Sequence, residues 1–123
     1  METILLIDDE ESIIDICEEF LETLGYNVFK ADNGNNALQI FTENKDIIDL
    51  VILDMIMPGL SGDETFDKLK LIKPKVKVML SSGYLTCDQA KKIMEKGCDA
   101  FIQKPFRLEE FTQKIREVLD SNA

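Results

Sequence analysis

The chain has 123 residues, room by length for one domain, and 45% of them are apolar, enough to bury a core. Its 24 acids outnumber 14 bases for a net charge of −10, an excess that repels a phosphate backbone and argues against direct nucleic-acid binding. Histidine is absent, which excludes histidine-ligated zinc, Ser-His-Asp hydrolysis and Cys-His chemistry together.

The run Thr3–Ile7 reads as a first strand, apolar enough to be buried on both faces. A helix over residues 11–24 follows, with Ile13, Ile16, Cys17, Phe20, Leu21 and Leu24 at helical spacing and Gly25 as its stop. Residues 26–30 form the second strand. The second helix spans 35–44 on Ala37, Leu38 and Phe41. Residues 50–53 are the third strand, again almost wholly apolar. The third helix, 63–72, carries Phe66 and Leu69 and is stopped by Pro74. Residues 76–81 are the fourth strand. A capping box at Thr86-Cys87-Asp88-Gln89 opens the fourth helix, which carries Ala90, Ile93 and Met94 and ends at Gly97. Residues 100–102 are the fifth strand. Leu108–Leu119 is the last helix, with Phe111, Ile115, Val118 and Leu119 inward.

Strand and helix alternating five times imply parallel strands joined by right-handed crossovers, with helices on both faces. The expected fold is α/β: a flavodoxin-like (βα)5 three-layer sandwich with a parallel five-stranded sheet of order 2-1-3-4-5, as a single domain over 1–123. Residues 4–7 are too short an apolar run, and too quickly followed by acids, for a signal peptide or membrane span. Cys17, Cys87 and Cys98 match neither a metal-ligand spacing nor a disulfide framework and read as reduced thiols of a cytoplasmic protein.

In such a sheet, function gathers where strands end. The first strand exits into Asp8-Asp9-Glu10-Glu11, the third into Asp54, the fourth into Ser81-Ser82-Gly83 and the fifth into Gln103-Lys104-Pro105. In the expected order these four strands are neighbours, so three carboxylates, one or two hydroxyls and one ammonium converge. At an effective dielectric near 20, each carboxylate pair at 4 Å costs about 4 kcal/mol. A cation must therefore sit there. Lys104 supplies one charge, and a divalent ion supplies the rest. Oxygen donors without histidine or paired thiols favour Mg²⁺ over zinc. An aspartate beside such an ion, Asp54, can attack phosphorus, with Lys104 balancing phosphoryl charge and the Ser82 hydroxyl donating to the acyl phosphate. Each piece alone has a plainer reading. Acids after a strand cap the next helix, Lys-Pro makes a turn and Ser-Ser-Gly a loop. Their joint occurrence at four strand exits favours the site.

The sequence resembles the receiver domains of two-component response regulators over essentially its full length. The matching pieces are Ile4-Leu5-Leu6-Ile7-Asp8-Asp9-Glu10, Asp54-Met55-Ile56-Met57-Pro58-Gly59-Leu60-Ser61-Gly62, Ser81-Ser82-Gly83-Tyr84 and Gln103-Lys104-Pro105-Phe106. The resemblance implies Asp54 as phosphoacceptor, Mg²⁺ at Asp8, Asp9, Asp54 and the backbone carbonyl of Ile56, and a cis bond between Lys104 and Pro105. It implies a switch hydroxyl about 22 positions before the lysine and followed by a small residue. Ser82, with Gly83 after it, stands 22 positions before Lys104, so Ser81 is expected to end the strand. Phe101 falls at the switch aromatic. The partners implied are a histidine kinase or histidine phosphotransfer protein upstream and a downstream protein or linked output domain, with no direct nucleic-acid or membrane contact. The module would be no turnover enzyme beyond catalysing its own phosphorylation and slow dephosphorylation.

Residues 8–22 hold eight acids, and the first base is Lys30. In receivers the first helix docks the histidine-bearing partner, and Ile14, at the edge of the apolar stripe, is expected as an exposed contact. Lys91, Lys92 and Lys96 make the fourth helix locally basic on the family's output face. Ile56 and Tyr84 flank the path of an attacking water in receivers, and neither carries a group to orient one. A phosphorylated state lasting minutes to hours is therefore expected. The rival reading is an Asp-nucleophile phosphohydrolase on a similar sheet. Such enzymes carry a second aspartate two positions after the nucleophile, where this chain has Ile56. A flavin-binding module is weaker still, since Asp8-Asp9-Glu10-Glu11 would repel the phosphate.

Overall fold

The structure is a computed structural model that describes residues 2–55, 59, 61–83 and 87–121, the side chains at 87 and 90 excepted. The elements alternate as β1 (Thr3–Ile7), α1 (Glu11–Thr23), β2 (Asn27–Ala31), α2 (Gly34–Asn44), β3 (Leu50–Asp54), α3 (Gly62–Ile72), β4 (Val78–Ser82), α4 (Cys87–Glu95), β5 (Ala100–Gln103) and α5 (Leu108–Leu119). All pairings are parallel, in the order β2-β1-β3-β4-β5. This is the flavodoxin-like architecture read from the sequence.

The period of two along each strand divides the core into two layers. Leu5, Ile7, Val51, Leu53, Val78 and Leu80 pack with Ala37 and Phe41 of α2, Phe66 and Leu69 of α3 and Ile93 of α4. Ile4, Leu6, Leu50, Ile52, Met79 and Ile102 pack instead with Cys17 and Leu21 of α1 and with Phe111, Ile115 and Val118 of α5. The central strands β1, β3 and β4 are buried at every position, whereas β2 and β5, at the edges, are only partly covered. That explains why the first and third strands are continuous apolar runs.

Side chains set several element boundaries. The Asn33 side chain accepts the Asn36 N–H and starts α2 at Gly34, and Ser61 accepts the Glu64 N–H and starts α3 at Gly62, each one residue before the sequence expectation. Gly25 and Gly97 follow α1 and α4 in the left-handed region, at φ 99° and 102°, where any other residue would be strained. β2 runs one residue later than expected. β4 begins at Val78 rather than 76 and extends through Ser82. At the opposite end of the sheet, Asp49 accepts the Thr3 N–H and Asp99 accepts the Val78 N–H, both at 2.8 Å. Each aspartate thus closes the first donor of the strand beside its own. The expected capping box at the start of α4 includes Thr86, which lies outside the described residues.

One sequence expectation is overturned on α1. Ile14 is 6% exposed and faces the core with Cys17 and Leu21, while Ile16 is 59% exposed. Isoleucines and cysteine occur on several sides of this helix, so composition leaves its rotation ambiguous. The spacing 14, 17, 21 decides it, and Ile16 stands about 200° from Ile14 at 100° per residue. Leu24 and Met94, also expected inside, are exposed. Lys96, expected on an open basic face, is engaged by α3. No helix among the described residues is long and apolar enough to cross a membrane.

The two isoleucines should separate cleanly in urea unfolding. Ile14→Ala should cost about 2–5 kcal/mol through lost burial and the cavity left behind. Ile16→Ala should stay within about 0.5 kcal/mol of the parent. Equal losses would mean that α1 is rotated differently.

Candidate functional site

The registers Ile7↔Leu53, Asp54↔Ser81 and Ser82↔Gln103 carry the ends of β1, β3, β4 and β5 to one edge of the sheet. Asp8 follows β1 and Lys104 follows β5, so they meet across the strand ends despite a separation of 96 positions in the chain. The Lys104 ammonium donates to Asp8 Oδ2 at 2.6 Å and lies 3.7 Å from Asp54 Oδ2. Asp8 and Asp54 are buried, while Asp9 is exposed. Carboxylate oxygens of Asp8, Asp9 and Asp54 all lie within 4.8 Å of one another.

Backbone contacts hold these groups in place. Asp8 Oδ1 accepts the Glu10 N–H at 2.9 Å, which turns the chain from β1 into α1. The Asp8 N–H donates to Ala31. The Met55 N–H donates to Ser81 and the Lys104 N–H to Ser82, extending the sheet pairing by one residue past Asp54 and Gln103. Ser81 and Ser82 are both buried. Ser82 lines the same open cavity of about 750 Å³ as Asp9, Asp54 and Lys104. Ser81 lines a smaller space beneath it. Phe101 sits opposite Leu80, half-buried against the α2–α3–α4 layer. The Lys104–Pro105 peptide is cis. Ile56 and Tyr84, singled out from the sequence, lie outside the described residues.

Burial of the Lys104 amine opposes its charge, but the hydrogen bond to Asp8 and the charges of Asp8, Asp54 and Glu10 prevail and raise its pKa. The side chain is therefore a fixed cation at neutral pH. One ammonium among three carboxylates leaves two negative charges uncompensated. With oxygens within 4.8 Å, each carboxylate pair costs roughly 3 kcal/mol or more at an effective dielectric of 20. The donors are hard oxygens only, so they suit Mg²⁺, which accepts a few carboxylates and keeps water or phosphate in its remaining positions. Cys17 borders the same cavity. Burial, and then the Asp8 charge, push its thiol up to about 11 against the opposing pull of Lys104. It stays protonated and is a poor nucleophile at neutral pH.

Gly62 contributes in a way that its place in the motif does not reveal. Its N–H donates to Met55 O, and a Cβ here would stand 2.5 Å from Met55 Cα and 2.7 Å from Asp54 O. Only glycine lets the first turn of α3 press against the backbone that carries Asp54. The sequence offers one signal, a glycine just after a serine cap, and that signal alone does not say what the missing side chain would strike.

These groups form a partly buried acid–ammonium site at the carboxyl edge of a parallel sheet. A family model described as the response regulator receiver domain matches residues 4–116. Sporulation initiation phosphotransferase F of Bacillus subtilis is 33% identical over 118 residues, covering 96% of this chain and 94% of that protein. A response regulator receiver domain protein from Clostridium thermocellum superposes with a TM-score of 0.92 at 34% identity, covering 98% of this chain and 95% of that one. The response regulator protein TrrA from Thermotoga maritima, solved in complex with Mg²⁺-BeF, superposes with a TM-score of 0.85 at 32% identity, covering 96% of this chain and 99% of that one. Other curated relatives are longer: the chain spans 31% of one and 47% or 50% of several transcriptional regulators. The chain belongs to the response regulator receiver domain family, and is a phosphoacceptor signalling module.

Gly62→Ala tests the support beneath Asp54. Because the clash is with backbone, the end of β3 must move, and unfolding free energy should fall by at least about 1–3 kcal/mol. Amide NMR shifts should centre on Asp54 and Met55. An unchanged spectrum there would mean that the helix absorbs the methyl group by itself.

Proposed function

We propose that Asp54 accepts a phosphoryl group from a phosphohistidine, with Lys104, Ser82 and the Asp8–Asp9 pair as its supporting machinery. The observation that carries this reading is the single ammonium held between Asp8 and Asp54, with Asp9 adding a third carboxylate. The Asp54 carboxylate oxygen attacks phosphorus. The P–N bond to the donor imidazole breaks, a P–O bond forms, and the imidazole leaves after protonation. Bound at Asp8, Asp9 and Asp54, with the Ile56 carbonyl as a further ligand, Mg²⁺ would supply charge stabilisation to the phosphoryl oxygens. Lys104 stands close enough to Asp54 to exchange a carboxylate contact for a phosphoryl one. Ser82, in the wall of the same cavity, is the hydroxyl best placed to donate to the acyl phosphate.

Phe101 and Pro105 sit on either side of Lys104 along the chain, so a shift of the ammonium would pass first to them. On this reading the module catalyses only its own phosphorylation and slow dephosphorylation. It acts in the cytoplasm, and residues 1–123 form one receiver unit. Its donor is a histidine kinase or phosphotransfer protein, and its output goes to a downstream protein or linked domain. Ile16, exposed on α1 at the rim of the cavity, replaces Ile14 as the apolar contact for that donor.

Incubation with acetyl phosphate and Mg²⁺, read by intact mass, tests the acceptor. The parent should gain one phosphoryl mass, Asp54→Asn should gain none, and EDTA should abolish the gain. Asp9→Asn should require more Mg²⁺, since it loses a charge and a hard ligand. Full-yield phosphorylation of Asp54→Asn, or a reaction indifferent to EDTA, would overturn the assignment.

Lys104→Ala should still take up some phosphoryl but lose the coupling. Its phosphorylated NMR spectrum should lack the shifts that the parent shows around Phe101 and α4. The complete parental shift pattern in this variant would show that the ammonium does not transmit the signal.

A further inference from the structure

α4 is held differently from its neighbours. Of its described side chains only Ile93 is buried, while Asp88, Gln89, Lys91, Lys92, Met94 and Glu95 are exposed. α5, by comparison, buries Phe111, Ile115 and Val118. Just past α4, the Lys96 and Gly97 amides close on Ile93 and Met94, and Gly97 turns the chain towards β5.

Lys96 itself crosses to α3. Its ammonium lies 2.6 Å from Asp63 Oδ1 and 2.8 Å from Asp67 Oδ1, and 5.7 Å from the centre of the buried Phe66 ring. Asp63 and Asp67 are one turn apart on α3. Like charges at that spacing repel, and a cation between them turns the repulsion into attraction. One lysine therefore satisfies two carboxylates and an aromatic face at once. An isolated surface ion pair is worth little, but a shared cation with this geometry fixes where the end of α4 rests.

We propose that Lys96 is an ionic latch closing the carboxyl end of α4 onto α3, so that a charge contact governs local opening of α4 at that end. The device belongs to the unphosphorylated fold and needs no phosphoryl chemistry. Its partners are partly exposed, with 36% of the Lys96 side chain and 56% and 55% of the two aspartates accessible. Salt therefore screens it, with a Debye length falling from about 10 Å at 0.1 M to about 3 Å at 1 M.

Amide hydrogen exchange on the full chain, without phosphodonor, tests the latch. At low salt, Lys96→Met should speed exchange across α4 about five-fold while leaving the central strands and α5 at parental rates. The Asp63→Asn/Asp67→Asn pair should reproduce this, and Lys92→Met, an exposed neighbour on α4, should not. In the parent, approaching 1 M NaCl should give the same selective acceleration, and in Lys96→Met added salt should do nothing further. Parental α4 exchange in Lys96→Met, or acceleration spread equally over α5 and the strands, would overturn the proposal. Should the lysine variant fail to fold, the parent's salt response decides, and no selective change in α4 would overturn it equally.

Discussion

The ammonium of Lys104 between Asp8 and Asp54 is the contact on which the site depends. Two buried carboxylates at one sheet edge favour a cation beside them, and a half-buried ammonium is held by their charge, so each group makes the others tolerable. The contact joins β1, β3 and β5 and requires β4 between the last two. The order β2-β1-β3-β4-β5 delivers that arrangement. Asp9 then adds the exposed carboxylate that makes the site too negative for one lysine alone. The site is thus left partly, and not fully, neutralised.

Much of this was legible from the residues because the central strands are buried on both faces. That environment admits only long apolar runs, and the polar residue ending each run marks the strand exit. Asp8 and Asp54 were readable in that way, whereas Ser82 was chosen over Ser81 by its spacing from Lys104, and Lys104 follows an edge strand whose run ends at Gln103. Rotation about α1 was not readable, since apolar residues occupy most of its sides near Ile13, Ile14 and Ile16. Burial against the sheet, a property of the assembled fold, chose between them. The role of Gly62 was equally hidden, because the atoms that its side chain would strike belong to Met55 and Asp54 on another element. Lys96 read as one of three like charges on a helix; its partners are two aspartates some thirty positions earlier.

The helices are not equally attached to the sheet. α5 is fastened by its apolar stripe and by Lys77, which donates to the Leu119 and Ser121 carbonyls and so ties the end of the helix to the chain entering β4. α3 is seated by Gly62 against the backbone of β3 and by Phe66 and Leu69 in the core. α4 shows one buried anchor among its described side chains. Local stability follows buried contact, and among the described side chains α4, the helix directly preceding β5 and Lys104, has the least of it.

The aspartates at the amino end of the sheet have a consequence for the opposite end. Thr3 and Asp49 each stand five positions before Asp8 and Asp54, and Asp99 stands five before Lys104. The two hydrogen bonds made by Asp49 and Asp99 therefore act as alignment marks, setting β1 against β3 and β4 against β5 before any charged group at the far edge is reached. A slip of one residue in either pair would displace a strand by about 3.3 Å and turn every side chain to the other face. That shift exceeds the difference between an ion pair and no contact. The placement of the acid–ammonium cluster thus depends in part on two side chains a full strand length away.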